Sequence, residues 1–263
     1  MKKFLTFLSI LLALFLSGCL PKKASPEPSP AEITPIPTKP LEEAILSRPF
    51  VSLVPSSDGH WVNFEVKNVN PSAKSIDYEL VYFAGDIGNK IERGVAGSVE
   101  LKGETSLSRK ILFGSESCTS GVCKYKFDEN ISEGVLNVKV RSSSGTETYE
   151  SVFRLQNGPE AKEGLTTGDG NFKFVSNTLP VKTNFLTIST VGLPGEIEGK
   201  VAAVPYGIFP SANGKGEVFF KASDETLKIL FWNGSKWQEL ETFLKDGWLT
   251  TSVTKTGVFV LVK

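Results

Sequence analysis

The sequence predicts an all-β protein built from two antiparallel β-sandwich domains. From Phe50 onward apolar residues recur with period two, the spacing of strands with one buried face, and no stretch keeps a helical period. The apolar runs are short. Between them stand Asp58-Gly59, Asn70-Pro71, Gly114, Gly121 and Ser144-Gly145, residues that turn a chain.

The first run is Phe50 to Val54. Val62, Phe64 and Val66 then alternate with Asn63, Glu65 and Lys67, and Ile76, Tyr78, Leu80 and Tyr82 follow with Asp77 and Glu79 between them. Val95, Val99 and Leu101 continue the series, then Leu107, Ile111 and Phe113. Leu136, Val138 and Val140 oppose Asn137, Lys139 and Arg141, and Tyr149, Phe153 and Leu155 close it. About seven to nine such strands over residues 47–157 resemble an immunoglobulin-like or fibronectin type III-like module. The resemblance is architectural, since the Cys…Trp…Cys spacing of antibody domains is absent.

Residues 158–170 contain Pro159, Gly164 and Gly168 among charged and small residues and read as a linker. Over 171–263 a second sandwich is expected. Its strands are Asn171–Ser176, Asn184–Val191, Glu196–Ala203, Glu217–Ala222, Leu227–Trp232, Ser235–Leu240, Trp248–Val253 and Val258–Val262. Asn233-Gly234 is a hairpin signal, because both residues tolerate the positive φ of a type I′ turn. Asp246-Gly247 supplies another turn. The Phe231-Trp232-Asn233-Gly234-Ser235-Lys236-Trp237 hairpin and the closing Thr256 to Val262 resemble the ends of β-sandwich modules of bacterial surface proteins. That resemblance implies a structural or binding module and transfers no active site.

The start of the chain has a different character. Met1-Lys2-Lys3 is basic, and Phe4 to Leu16 is apolar except for Thr6 and Ser9. A spanning helix needs about 20 apolar residues, so this shorter run reads as a signal peptide over 1–18. Leu16-Ser17-Gly18-Cys19 resembles the lipobox of bacterial lipoproteins. The resemblance implies cleavage before Cys19, acylation of its thiol and attachment to a membrane. Two acyl chains would anchor stably where one would not. Leu20 follows instead of the Asp that retains family members at an inner membrane, which favours an outer location where two membranes exist. Residues 19–46 form the tether, with seven prolines from Pro21 to Pro40 and too little apolar surface to fold. As polyproline II it would reach up to about 60 Å. Leu41 to Ser47 suits a short helical turn.

Removal of 1–18 leaves 27 basic and 29 acidic residues, a net charge of about −2. Such a balance excludes the basic stripe of a nucleic-acid binder. Cys118 and Cys123 are the remaining thiols, an even pair in an exported chain, and are expected to form a local disulfide. Four residues separate them, against two in a redox motif. Closure of so small a loop is worth about 2 kcal/mol.

Catalytic signals are missing. His60 is the single imidazole and sits after a turn, with no Gly-x-Ser-x-Gly elbow or phosphate loop in the chain. Asp77 and Glu79 could serve a carboxylate-dependent hydrolase, but acids on one strand face are ordinarily solvated. No catalytic residue, metal or cofactor is expected. Asp169-Gly170-Asn171 lacks the further acids of a calcium loop. The candidate ligand-facing residues are aromatic: Trp232, Trp237, Trp248, Tyr206 and Phe209. Exposed, they would stack on sugars or anchor a protein; buried, they would be cross-strand packing. The expectation is a non-enzymatic surface protein for binding, adhesion or envelope assembly. Its partners would be the membrane, through lipid on Cys19, and a protein or glycan. A carbohydrate-binding accessory protein using the Trp residues is the alternative.

Overall fold

The computed structural model describes residues 45–263. The signal peptide, the lipobox and the tether as far as residue 44 lie outside the described residues. The described chain is all-β and antiparallel throughout. Among the described residues no helix is long and apolar enough to cross a membrane.

Strands β1 (Phe50–Pro55), β2 (Trp61–Lys67) and β5 (Leu107–Leu112) make a three-stranded sheet in the order β1-β2-β5. Strands β3 (Ala73–Ala84), β4 (Ile91–Glu100), β8 (Glu133–Ser142) and β9 (Gly145–Asn157) form the facing layer. Between β5 and β8, β6 (Gly114–Thr119) and β7 (Val122–Phe127) pair only with each other. The alternations read over Val62–Val66, Ile76–Tyr82 and Leu136–Val140 are β2, β3 and β8. Their inward residues Val62, Phe64, Ile76, Leu80, Leu136 and Val138 are wholly buried in one core. Truncating a buried phenylalanine such as Phe64 costs about 3–5 kcal/mol.

The second half adds a five-stranded sheet. It comprises β10 (Leu165–Thr166), β11 (Phe172–Ser176), β14 (Asn213–Lys221), β18 (Trp248–Lys255) and β17 (Phe243–Lys245), in that order. Strands β12 (Asn184–Ser189), β13 (Tyr206–Phe209), β19 (Val258–Val262), β15 (Lys228–Trp232) and β16 (Trp237–Leu240) face it. These five continue the layer of the first half. β12 pairs with β9 from Asn184↔Asn157 to Ile188↔Phe153, and the result is one nine-stranded sheet.

β12 explains the fusion. Phe185, Leu186, Thr187 and Ile188 are all fully buried, the signature of a strand covered on both faces. Successive side chains point to opposite faces. Leu186 and Ile188 enter the first core, and Phe185 enters the second with Phe172, Phe174, Phe220 and Phe259. The two cores therefore lie on opposite faces of the shared sheet. Thr187 takes its place among the apolar residues by donating its hydroxyl to the Thr166 carbonyl at 2.7 Å.

Four local expectations change. Residues 158–170 are built into the fold: Asn157 and Glu160 form a capping box at the start of a 3-10 turn over Gly158–Lys162, and Ala161 and Leu165 are buried. Glu196–Ala203 is not a strand but a loop with one isolated bridge, Val201↔Val262. There Leu193 and Val201 join Ile45, Leu230 and Val260 in a third cluster, covering the face of β15 and β19 that the second core leaves open. Ile45, assigned to the tether by sequence, is thus part of the folded body. At Asn233-Gly234 only Gly234 has positive φ, 104°. The Asn233 amide donates to the Lys236 carbonyl, so Gly234-Ser235 is the central pair, with glycine first as in a type II′ turn. Asp246 and Gly247, at φ 51° and 78°, turn β17 into β18.

Candidate functional site

The aromatic residues singled out in the second half are engaged in packing. Trp232 and Trp237 are direct cross-strand partners with rings edge to face at 5.4 Å. Trp237 Nε1 donates to the Gly195 carbonyl at 3.2 Å, and a Cβ on Gly195 would lie 2.5 Å from the Trp232 ring. The loop over residues 192–199 is closed down on this pair. Trp248 is half-buried, edge-on to Phe219 at 6.5 Å. Phe209 packs against the first core. Tyr206, taken as ligand-facing, is a core residue only 3% exposed, stacked on Phe172 at 5.1 Å. Its hydroxyl donates to Asp169 Oδ2 at 2.6 Å. Burial pushes that phenol well up, and the Asp169 charge adds to the effect. For Asp169 burial works upward, but hydrogen bonds from Thr167, Tyr206 and Asn171 outweigh it and hold the carboxyl below its usual range. Asp169-Gly170-Asn171 is thus a structural turn whose carboxylate is already satisfied.

Exposed aromatic surface gathers instead on β6–β7. Cys118 and Cys123 sit directly opposite each other and are joined by a disulfide. Ser120 and Gly121, at φ 51° and 80°, supply the two left-handed residues of a tight hairpin turn. A two-stranded hairpin is marginal alone, and two devices hold this one. The disulfide closes its tip, and alternation on β7 sends Tyr125 and Phe127 to one side, against the body. Phe127 lies 4.0 Å from the His60 ring, and Tyr125 meets Trp61 edge-on at 5.5 Å. The Tyr125 and Phe127 rings are parallel within 5°, with centroids 6.2 Å apart. Lys110 Nζ stands 4.3 Å from the Trp61 centroid, a cation–π contact. Even so, Tyr125 remains 46% exposed, Phe127 36% and Val122, beside the turn, 67%. The Glu116 charge pushes the Tyr125 phenol up. The Lys124-Tyr125-Lys126-Phe127 alternation is that of a strand, and nothing in it tells which face stays open.

Beside Phe127, His60 also lines a cleft of about 910 Å³ at one end of the first sandwich. Three loops converge there, over residues 56–60, 85–90 and 128–132, together with Asn157, Glu160 and Asn184. Loops at one end of a sandwich are free to carry function while the sheets hold them in place. Asp58 Oδ1 accepts from the Ser56 hydroxyl at 2.5 Å and from the His60 amide at 3.1 Å. These two hydrogen bonds, Ser56 first, hold its carboxyl below the usual range. Asp86 accepts from Asn130 at 2.8 Å, and Asn184 donates to the Ser57 carbonyl at 3.2 Å. Asp128 takes the Tyr82 hydroxyl at 2.8 Å and Arg93 at 3.0 Å. Two cations enter the same wall: Lys90, bonded to Ser132 at 2.8 Å, and Arg154, bonded to Thr166 at 2.6 Å.

A carboxylic general acid needs an environment that raises its pKa, and Asp58 is displaced the other way. Asp77 lies on the outer sheet face, where Ser98 and then Arg141 lower its carboxyl. Among the described residues one grouping has ligand spacing for a metal, Glu116 with Cys118 and Cys123. Its sulfurs are bonded to each other, so neither is the thiolate a metal would require. No family model matches the chain, and no curated protein matches it.

Proposed function

We propose that the protein is a lipid-anchored, extracytoplasmic binding protein of non-catalytic type, which presents the loop end of its first sandwich to a partner in the cell envelope. The observation that carries this reading is the β6–β7 hairpin. It holds two partly exposed aromatic side chains on a clamped support, beside a polar cleft. Rigid aromatic anchors next to hydrogen-bonding groups are the usual composition of a binding hot spot. The lipobox supports the anchor, and a disulfide suits an oxidising compartment.

Two measurements test it. Labelled palmitate should enter the full chain in the producing cells and be lost on Cys19→Ala; a chain that stays unlabelled overturns the anchor. A photoreactive amino acid placed at Val122 should crosslink to envelope material on intact cells, while the same group at exposed Phe243, on the edge of the five-stranded sheet, should not. Equal yields from both positions, or none from Val122, would remove the loop end as the binding surface.

A further inference from the structure

Resting on the reading of an exported chain, we infer that Asn233, at the tip of the β15–β16 hairpin, is an acceptor site for an N-linked glycan. Such an acceptor has the pattern Asn-x-Ser, with any residue but proline in the middle. Three triplets of that outline occur: Asn70-Pro71-Ser72, Asn130-Ile131-Ser132 and Asn233-Gly234-Ser235. Proline removes the first, and the structure separates the other two. Asn130 Nδ2 already donates to Asp86 Oδ1 at 2.8 Å, and the Ser132 hydroxyl accepts from Lys90 at 2.8 Å. The Ser132 backbone is tied on both sides, its amide to the Phe83 carbonyl and its carbonyl to the Leu155 amide. That triplet is locked into the loop end of the first sandwich.

Asn233 is held by the other atom of its amide. Its Oδ1 accepts from the Ser235 amide at 2.9 Å, the Ser235 hydroxyl at 3.0 Å and the Lys236 amide at 3.0 Å. Nδ2 takes no part in these bonds and has no hydrogen-bond partner among the described residues. The hydroxyl and the amide of the triplet are therefore already in contact in the folded chain. Three donors on Oδ1 also draw charge to the oxygen, which makes an Nδ2 proton easier to remove. Gly234, Ser235 and Lys236 are exposed, and β16 is the outermost strand of the nine-stranded sheet. Only the β15–β16 ladder has to part for the turn to enter a transferase. The co-substrate is an oligosaccharide carried on a polyprenyl phosphate. Nδ2 loses one proton to a base of the transferase and bonds to the anomeric carbon. The bond from that carbon to the carrier's phosphate oxygen breaks, and the oxygen keeps the electron pair. Nothing is oxidised or reduced.

The test is mass spectrometry of the full chain purified from the producing cells. Trypsin places the two triplets in separate peptides, residues 229–236 and 127–139. The first should gain the mass of whole sugar residues, with fragment ions assigning it to Asn233, whereas the second should remain bare. Asn233→Asp keeps the oxygen that accepts from Ser235 and Lys236 but removes Nδ2; it should lose the glycan and keep the fold. Ser235→Ala should also lose it, Ser235→Thr should retain it, and Asn130→Gln should leave it unchanged. A 229–236 peptide found unmodified, or only deamidated, overturns the inference. So does a glycan on Asn130 alone, or one on Asn233 that Ser235→Ala leaves in place. Palmitate labelling at Cys19 separates the two levels. A labelled chain without glycan on Asn233 keeps the exported reading and discards the acceptor; a chain with neither discards both.

Discussion

Two hairpins of this molecule carry aromatic pairs, and the chain treats them in opposite ways. In β15–β16, Trp232 and Trp237 belong to a nine-stranded sheet, and a loop folds over them so closely that Gly195 has no room for a Cβ. In β6–β7, Tyr125 and Phe127 belong to a sheet of two strands, and their rings meet the His60 and Trp61 rings of the body. The first pair holds structure together. The second is held by structure and left open. Aromatic content alone therefore does not tell the covered hairpin from the open one. What separates the two is the number of layers that cover each.

The comparison breaks first on stability. Trp232→Ala should lower the unfolding free energy by about 3 kcal/mol, because a large, well-packed ring leaves a gap the loop cannot refill. Denaturant midpoints measure this, and a loss below 1 kcal/mol would place Trp232 with the open hairpin. Replacing both Cys118 and Cys123 by Ser should cost about 2 kcal/mol. Hydrogen exchange should locate that loss in β6–β7, with β15–β16 protected as before. If both hairpins lose protection together, the β6–β7 unit is not independent.

A smaller effect concerns pH. The folded pKa of Asp169 lies below its unfolded value. Its contribution is therefore present above the ordinary carboxyl range and is lost as pH falls through the folded value. Asp169→Asn should reduce stability at neutral pH by about 1 kcal/mol for the weakened hydrogen bonds. It should also flatten the loss of stability on acidification, which midpoints measured in steps from neutral pH downward would record. A variant that acidifies as steeply as the parent would assign the pH dependence elsewhere. The smallest expected change is Tyr125→Ala, within about 0.5 kcal/mol of the parent, as for surface substitutions generally. A larger loss would mean that the ring is needed for the fold, and the contrast between the hairpins would narrow.

Much of the strand content was legible because it is local. Val62, Phe64 and Val66 announce an inward face whatever lies opposite, and Cys118 and Cys123 are close enough in sequence to find each other across one turn. The Asn233-Gly234 turn was legible to within one residue, since asparagine used its side chain to accept from Ser235 and Lys236 instead of taking positive φ. The strand expected over Glu196–Ala203 failed for a different reason. Its apolar residues Ile197 and Val201 serve as cover for β15 and β19, and burial without a ladder leaves the same trace in a sequence as burial within one.

The sequence by itself determined that the chain would fold as short antiparallel strands and that its paired cysteines would close a turn, and the expectation of lipid on Cys19 rests on it alone. Only the tertiary structure decided that β9 and β12 join the two halves into one sheet, with cores on opposite faces. It alone decided that tryptophans near the end would be covered while Tyr125 and Phe127 stayed open. The physical reason is range. The direction of a side chain from its strand follows from a two-residue period, whereas what lies against that side chain depends on segments tens to more than a hundred residues away.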